Sequence, residues 1–517
     1  MIGRVCSSDF GADTAVVQRV TRLSYDDLLV AAAAWRDRLL EVPSLEAGSR
    51  VCYLVPPGPT NVAVLWGIWG AGCTAVPVSL SHPPPEVAYV LEDADPAALV
   101  VDPRAAHAEA AVELATHRGV HVVAAGDAAP ADIAKEGSPS PLVGVDLSTR
   151  IGPNAGALMI YTSGTTGRPK GVVTTHENIA AQVQALVDAW GWTHDDHILH
   201  VLPLHHIHGL VNVLSCALWS GATCEFCSPA PTEIWERLSS GEVTLFMAVP
   251  TLYRRLIQEW DKAPPPTQQR WSDGARGLRL MVSGSAALPV PTLQRWKDLT
   301  GHTLLERYGM TEIGMGLSNP LDGERRPGHV GQPLPGVQVR ICSASGDVLD
   351  PGTSGQIEVR GPQVFREYWK KPKETEDAFR DGWFRTGDEG VVEDGYYRIL
   401  GRQSVDILKT GGYKVSALEI EDAYRSHPSV ADLAVIGVPD PEWGDRVCAA
   451  VVTAEGAEIS AEVLRAWGKK QLAPYKVPQS FVVVDALPRN AMGKVQKPQL
   501  APKFTSSEQQ LPPEDTP

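Results

Sequence analysis

The chain has 517 residues, of which 43% are hydrophobic and 21% charged. That is an ordinary globular balance, with material for about three domains. A formal net charge of −15 argues against a general nucleic-acid binder, whose phosphate contacts call for basic surface, while leaving room for local basic groups around an anionic substrate. Eight cysteines are too sparse for a disulfide framework, so a reducing compartment is the default.

The opening MIGRVCSSDFGADTAVV has no apolar h-region and no Arg/Ser-rich character. No targeting peptide is expected, and the cytoplasm is the default location, with a mature organellar form still compatible. From Val51 to Pro85 there is no charged residue, and Val62–Val78 is strongly apolar. Gly70, Gly72 and Pro77 interrupt it, which predicts a buried helix followed by a buried strand rather than a membrane span. Short apolar runs at 51–55, 74–80, 97–101, 157–163, 197–202, 244–250 and 278–285 are bounded by Gly, Pro or polar residues. Runs apolar on both faces predict strands covered on both sides. Helices are predicted between them over 176–190, 251–260 and 289–299. This alternation implies a large α/β domain.

Cys224 and Cys227 form a single CxxC downstream of His197, His200, His205, His206 and His208. Zinc is the alternative reading. The cysteines lie in GATCEFC, which reads as a strand, and there is no second CxxC, so two packed thiols are expected. Around Gly328 the texture changes to strands and turns, a β-rich elaboration of the same domain. A smaller α+β unit with strands at 433–438 and 447–453 follows, with the boundary expected near Arg402–Asp406. The expected division is 1–402, 403–503 and a disordered tail over 504–517, rich in Ser, Glu, Gln and Pro.

After the strand at 157–163 comes YTSGTTGRPKG, from Tyr161 to Gly171. Glycines let backbone amides curl around phosphate oxygens, the hydroxyls of Thr162, Ser163, Thr165 and Thr166 add donors, and Lys170 adds charge. The glycine spacing is wrong for a Walker A loop, and Gly171 rather than Ser or Thr follows the lysine.

This loop resembles the signature of adenylate-forming enzymes. Further motifs stand in that family's order: Glu306–Glu312 (ERYGMTE), Trp383–Asp388 (WFRTGD), Gly401-Arg402, and Pro488-Arg489-Asn490 with Gly493-Lys494. The resemblance covers about residues 20–500. It implies a large N-terminal domain, a small mobile C-terminal lid, and an ATP-dependent acyl-CoA synthetase passing through an acyl-adenylate. ATP, Mg²⁺ and CoA are the implied small molecules, with no nucleic acid, membrane or obligatory protein partner. The family match assigns Lys494 to bridging substrate carboxylate and α-phosphate, Glu312 to magnesium, and Thr311 to the α-phosphate. It assigns Asp388 and Arg402 to the ribose, and Gly284, Ser285, Ala286, Glu306 and Tyr308 to adenine. Thr162 and the loop from Ser163 through Gly164, Thr165, Thr166 and Gly167 to Lys170 would hold the polyphosphate. His206 matches the histidine at the acyl-site entrance, with His208 beside it. Lys409, Gly411 and Gly412 match the loop that forms the pantetheine tunnel, and the hinge falls near Ser404 and Val405.

Arg307, just before Tyr308, and Arg255, in VPTLYRRL, are expected at the acyl pocket. A guanidinium fork pairs a carboxylate through two parallel hydrogen bonds, so two arginines imply a second carboxylate on the acid. In VPTLYRRL, SGSAALP, LLERYGMTE and LPLHHIHGL the sequence is similar to malonyl-CoA synthetases. The competing readings are ion pairs of these arginines with Glu306 or Glu312, a monocarboxylate substrate, a peptide-synthetase adenylation module, and an inactive nucleotide-binding protein.

Overall fold

The computed structural model describes residues 10–126, 147, 150–162, 168–403, 405–410, 413–440, 443–490 and 493–504. The charge-free stretch forms the helix Pro59–Gly70 and the strand Thr74–Pro77. Val62, Leu65, Trp66 and Trp69 of that helix are at most 1% exposed, as a helix apolar all round must be. It packs against the helix Tyr25–Leu40, which starts at a reciprocal capping box between Ser24 and Asp27.

Two large sheets carry the N-terminal part. One has seven strands in the order Glu367–Tyr368, Lys170–Thr175, Gly156–Thr162, Thr74–Pro77, Arg50–Leu54, Ala98–Val101, His121–Ala124. The other has nine, in the order Gln332–Pro333, Gly314–Ser318, Leu305–Met310, Leu280–Ser283, Leu245–Ala248, His197–His200, Thr223–Phe226, Thr14–Gln18, Thr21–Ser24. Their central strands are parallel, and one buried apolar cluster spans both sheets. Each apolar run of the sequence contains a strand, trimmed where Pro or turn residues begin. The helix His176–Trp190 has the bounds expected, closed at its start by the Thr175–Asn178 capping box and at its end by Gly191 in the left-handed region. Behind the nine-stranded sheet, Trp235 stacks on Trp271 and Trp296, joining the helices Pro231–Leu238, Pro265–Arg276 and Val290–Thr300.

A third sheet, built from Gln338–Cys342, Gly355–Arg360, Trp383–Glu393, Phe379–Arg380 and Tyr396–Arg402, is the β-rich stretch. From Ile407 onward a separate five-stranded sheet has an apolar cluster on each side. Phe504 ends the 3₁₀ helix Lys497–Phe504 and is 1% exposed in one of those clusters. The tail expectation is corrected there: Phe504 belongs to the packed unit, because its ring fills the core, and 505–517 lie outside the described residues. No helix among the described residues is long and apolar enough to cross a membrane.

Candidate active site

The glycine-rich loop joins two antiparallel strands, not a strand and a helix. Thr162 pairs with Lys170 across the hairpin, so the strand register holds both ends of the loop together. Ser163, Gly164, Thr165, Thr166 and Gly167 lie outside the described residues, as do Gly411, Gly412 and Ser404.

The short strand Glu367–Tyr368 lies alongside Lys170–Thr175 and delivers Tyr368 over Lys170, whose Nζ stands 4.7 Å from the ring centroid. The Tyr368 hydroxyl donates to Glu312 Oε1 at 2.9 Å. Glu312 is 6% exposed, and burial raises its carboxyl above the ordinary value against the opposing pull of Tyr368 and Arg402. A hard carboxylate oxygen in a desolvated site suits a divalent cation that takes its remaining ligands from phosphates. Among the described residues, no group of three or more His, Cys, Asp or Glu is placed to hold a metal by itself. Cys224 is a buried free thiol in the strand Thr223–Phe226, and Cys227, also free, follows it.

Asp388 and Arg402 face each other on antiparallel strands. Arg402 Nε donates to Asp388 Oδ1 at 2.9 Å and its Nη2 to the Thr386 carbonyl at 2.7 Å. The Tyr308 hydroxyl donates to Asp388 Oδ2 at 2.6 Å. Burial works against the Arg402 charge, but Asp388 outweighs it and holds the guanidinium above its usual value. Asp388 thus keeps two oxygens in fixed positions with lone pairs to spare, the arrangement a vicinal diol needs.

Tyr308 and Arg307 are neighbours on the strand Leu305–Met310, so their side chains leave opposite faces. Arg307 lies over Gly284, where a Cβ would fall on the guanidinium carbon. It is 3% exposed, and its Nε and Nη2 have no hydrogen-bond partner among the described residues. Burial pushes its pKa down to about 10, with Glu306 only partly opposing this. The ion pair with Glu306 or Glu312 is not formed. Glu306 Oε1 instead accepts from the Leu288 amide at 2.9 Å, and burial raises its carboxyl to about 8.

His208 opens a π-helical segment, His208–Ser215, of a kind common at functional sites. Its Nδ1 is 3.1 Å from Ser285 Oγ, while its Nε2 is buried without a partner among the described residues. Burial, and then the Arg307 charge, drive its pKa well below normal, so the ring is neutral. Ser285 sits at φ +69°, a conformation uncommon outside glycine that marks a constrained loop. Gly284 is buried, whereas Ala286 is exposed and Thr311 is half-buried. His206 packs on His205 (ring centroids 4.1 Å apart), which in turn faces His82 at 6.3 Å. Burial lowers His206 to about 4.

The pairing of Arg255 with Arg307 is corrected. Arg255 is exposed on the helix Pro250–Lys262. Leu252, Tyr253, Leu256 and Ile257 face the core, and a 3.6-residue period puts positions 254 and 255 on the outer side. Arg254 turns to the C-terminal unit, with Nη1 3.1 Å from Asp432 Oδ2. Lys494 is exposed in a loop whose Asn490 Oδ1 accepts from the Lys494 amide at 2.9 Å. Lys409 is also exposed, its amide donating to Asp445 Oδ2 at 2.8 Å. Within the C-terminal unit, Asp406 accepts from the buried Lys497 at 2.5 Å, and Lys497 also meets Glu421 at 2.8 Å. Tyr368, Thr386, His82, Arg254, Asp432 and Lys497 escaped the sequence reading, because each acts through a partner distant along the chain.

Residues 6–369 match the model of the AMP-binding enzyme family, and residues 419–494 that of the AMP-binding enzyme C-terminal domain. The chain belongs to this family, the class that its two sheets, small C-terminal unit and buried tyrosine–aspartate–arginine network also define. It is 44% identical to the malonate–CoA ligase ACSF3, mitochondrial, of Xenopus laevis, over 96% of this chain and 90% of that one. Among solved structures, ATP-bound MatB from Rhodopseudomonas palustris superposes with a TM-score of 0.89 at 35% identity, covering 97% of this chain and 98% of that chain. A malonyl-CoA ligase ternary product complex with methylmalonyl-CoA and AMP bound superposes at 0.65 with 34% identity, over 93% and 98%.

Proposed function

We propose that the protein joins malonate to coenzyme A at the expense of ATP. One malonate carboxylate oxygen attacks the α-phosphorus, the bond to the β-phosphate breaks, and malonyl-adenylate and pyrophosphate form. The CoA sulfur then attacks the activated carbonyl, the thiol proton is lost, and AMP leaves. The observation that carries the acid's identity is Arg307: a buried guanidinium with two donors unsatisfied among the described residues. Such a group is costly alone and favourable opposite a carboxylate. The naming of the relatives as malonate–CoA ligases supports the same reading.

In this reading Asp388 and Arg402 bind the ribose hydroxyls, and Gly284, Ser285, Ala286, Glu306 and Tyr308 line the adenine. Lys170, Thr162 and the loop 163–167 hold the polyphosphate, and Thr311 bonds the α-phosphate. Lys494 neutralises charge between two anions in the transition state. Mg²⁺ on Glu312 would supply further neutralisation of phosphate charge. Arg307 and neutral His208 hold the distal carboxylate, His206 borders the acyl entrance, and Lys409, Gly411 and Gly412 line the CoA path. Residues 403–503 act as the lid, hinged near Ser404 and Val405. Arg255, being exposed, is left out of the distal-carboxylate site. Methylmalonate is a second substrate in this proposal: a methylmalonyl-CoA complex exists in a related fold, and one methyl changes discrimination by only ~1–3 kcal/mol. The cytoplasm is the proposed location. The animal relatives are named mitochondrial, and fractionation against compartment markers separates the two.

The test is CoA-dependent AMP formation with ATP and Mg²⁺ on malonate, methylmalonate, acetate, butyrate and benzoate. Malonate should be preferred, and Arg307→Ala should abolish the preference while ATP binding persists. A preference for acetate or benzoate would leave the family assignment standing and remove the dicarboxylate reading.

A further inference from the structure

Among the described residues, Arg254 makes the ion pair that links the helix Pro250–Lys262 to the C-terminal unit. Its partner Asp432 is 9% exposed at the side chain and also accepts from Arg489 Nη2 at 2.6 Å. Arg489 turns its other nitrogen, Nη1, to the carbonyl oxygen of Gly493. Gly493 immediately precedes Lys494 and holds φ +75°, and a Cβ on it would stand 2.6 Å from Thr251 Oγ1. Thr251 and Arg254 are three residues apart, hence on one face of one helix. The Lys494 loop therefore meets that face twice: directly at Thr251, and through Asp432 and Arg489 at Arg254.

We infer that Arg254 is a positioning residue for adenylate formation, holding the Lys494 loop against the N-terminal domain through the chain Arg254–Asp432–Arg489–Gly493. The inference rests on the proposed role of Lys494. Helix phase explains why Arg254 can serve: it cannot reach the core, but its outward position meets the loop of the second unit. Asp432 has two other cations, Arg489 Nη2 at 2.6 Å and Arg425 Nε at 3.9 Å, so the C-terminal unit keeps its own charge balance when Arg254 is removed.

The experiment measures malonate-dependent ATP–pyrophosphate exchange and, separately, thioester formation from supplied malonyl-adenylate and CoA. It compares wild type, Arg254→Ala, Arg254→Lys, Lys494→Ala and the Arg254→Ala/Lys494→Ala double variant. Arg254→Ala should lower the exchange kcat about 3- to 10-fold, the scale of a partly exposed ion pair acting on a docking equilibrium. KM for ATP and malonate should hold, as should thioester formation. Arg254→Lys should recover most of the rate. In the Lys494→Ala background the Arg254 change should add no further loss. An additive loss, or equal losses in both half-reactions, would overturn the positioning role. If Lys494→Ala itself left exchange intact, the assignment of Lys494 would fall instead, a result separable from failure of the Arg254 link.

Discussion

Replacing Arg307 with methionine should make the protein more stable and less able to use malonate. Burial lowers the guanidinium from 12.5 to about 10. At about 1.4 kcal/mol per tenfold, holding that charge costs the free protein about 3 kcal/mol. For a base whose folded pKa is depressed, the penalty is complete below about pH 10, so it is fully present at pH 7. Methionine fills similar space without a charge, and such replacements of buried ions are often stabilising by ~1–4 kcal/mol. A rise in Tm of about 1–3 °C is expected by calorimetry in the absence of ligand. In the CoA-dependent AMP assay, kcat/KM for malonate should fall about 30-fold or more, since truncating one member of a buried charge pair costs ~2–5 kcal/mol. The reasoning is refuted if the Arg307→Met variant melts lower than wild type, or if it melts higher yet turns over malonate at the wild-type rate.

Three further outcomes follow from the site. Tyr308→Phe removes a 2.6 Å hydrogen bond to Asp388 and should raise KM for ATP about 5- to 30-fold, with the preference among acids unchanged; steady-state kinetics with ATP varied reads this directly. Tyr368→Phe frees Glu312 Oε1 and should weaken the Mg²⁺ dependence of adenylation about 3- to 10-fold, read by magnesium titration. Glu306 holds its proton to about pH 8 when folded against 4.5 when exposed, so the folded state binds more protons than the unfolded chain across that window. Its contribution is full below about pH 4.5 and is lost as pH rises towards 8. Glu306→Gln keeps an oxygen for the Leu288 amide and should shrink the drop in Tm between about pH 5 and about pH 8.5, the span over which Glu306 would titrate. An unchanged drop would mean that Glu306 is ionised in the folded protein.

The parts legible in the sequence were those set by neighbours along the chain. The helix His176–Trp190 was legible as the stretch between two apolar runs, and the buried strands through those uninterrupted runs. Arg307 and Gly284 were legible as motif members, but their stacking was not, since it depends on how Leu280–Ser283 and Leu305–Met310 pair. Asp388 and Arg402 meet because of a strand register that no local pattern encodes. The Arg255 expectation failed on helix phase: Leu252, Tyr253, Leu256 and Ile257 already pointed the core face away from both arginines. Tyr368 carries no signal of its own, because its role comes from a two-residue strand laid beside Lys170–Thr175.

The strand Leu305–Met310 sends Arg307 to one side and Tyr308 to the other. In the proposed reading, choice of acid and grip on nucleotide are thereby written on alternate letters of one short word. A single residue inserted or deleted in the strand ahead of Arg307 would exchange the two sides rather than alter either one. A change of acid that spares the nucleotide grip is therefore open to substitution at Arg307, but not to a change in the length of this strand.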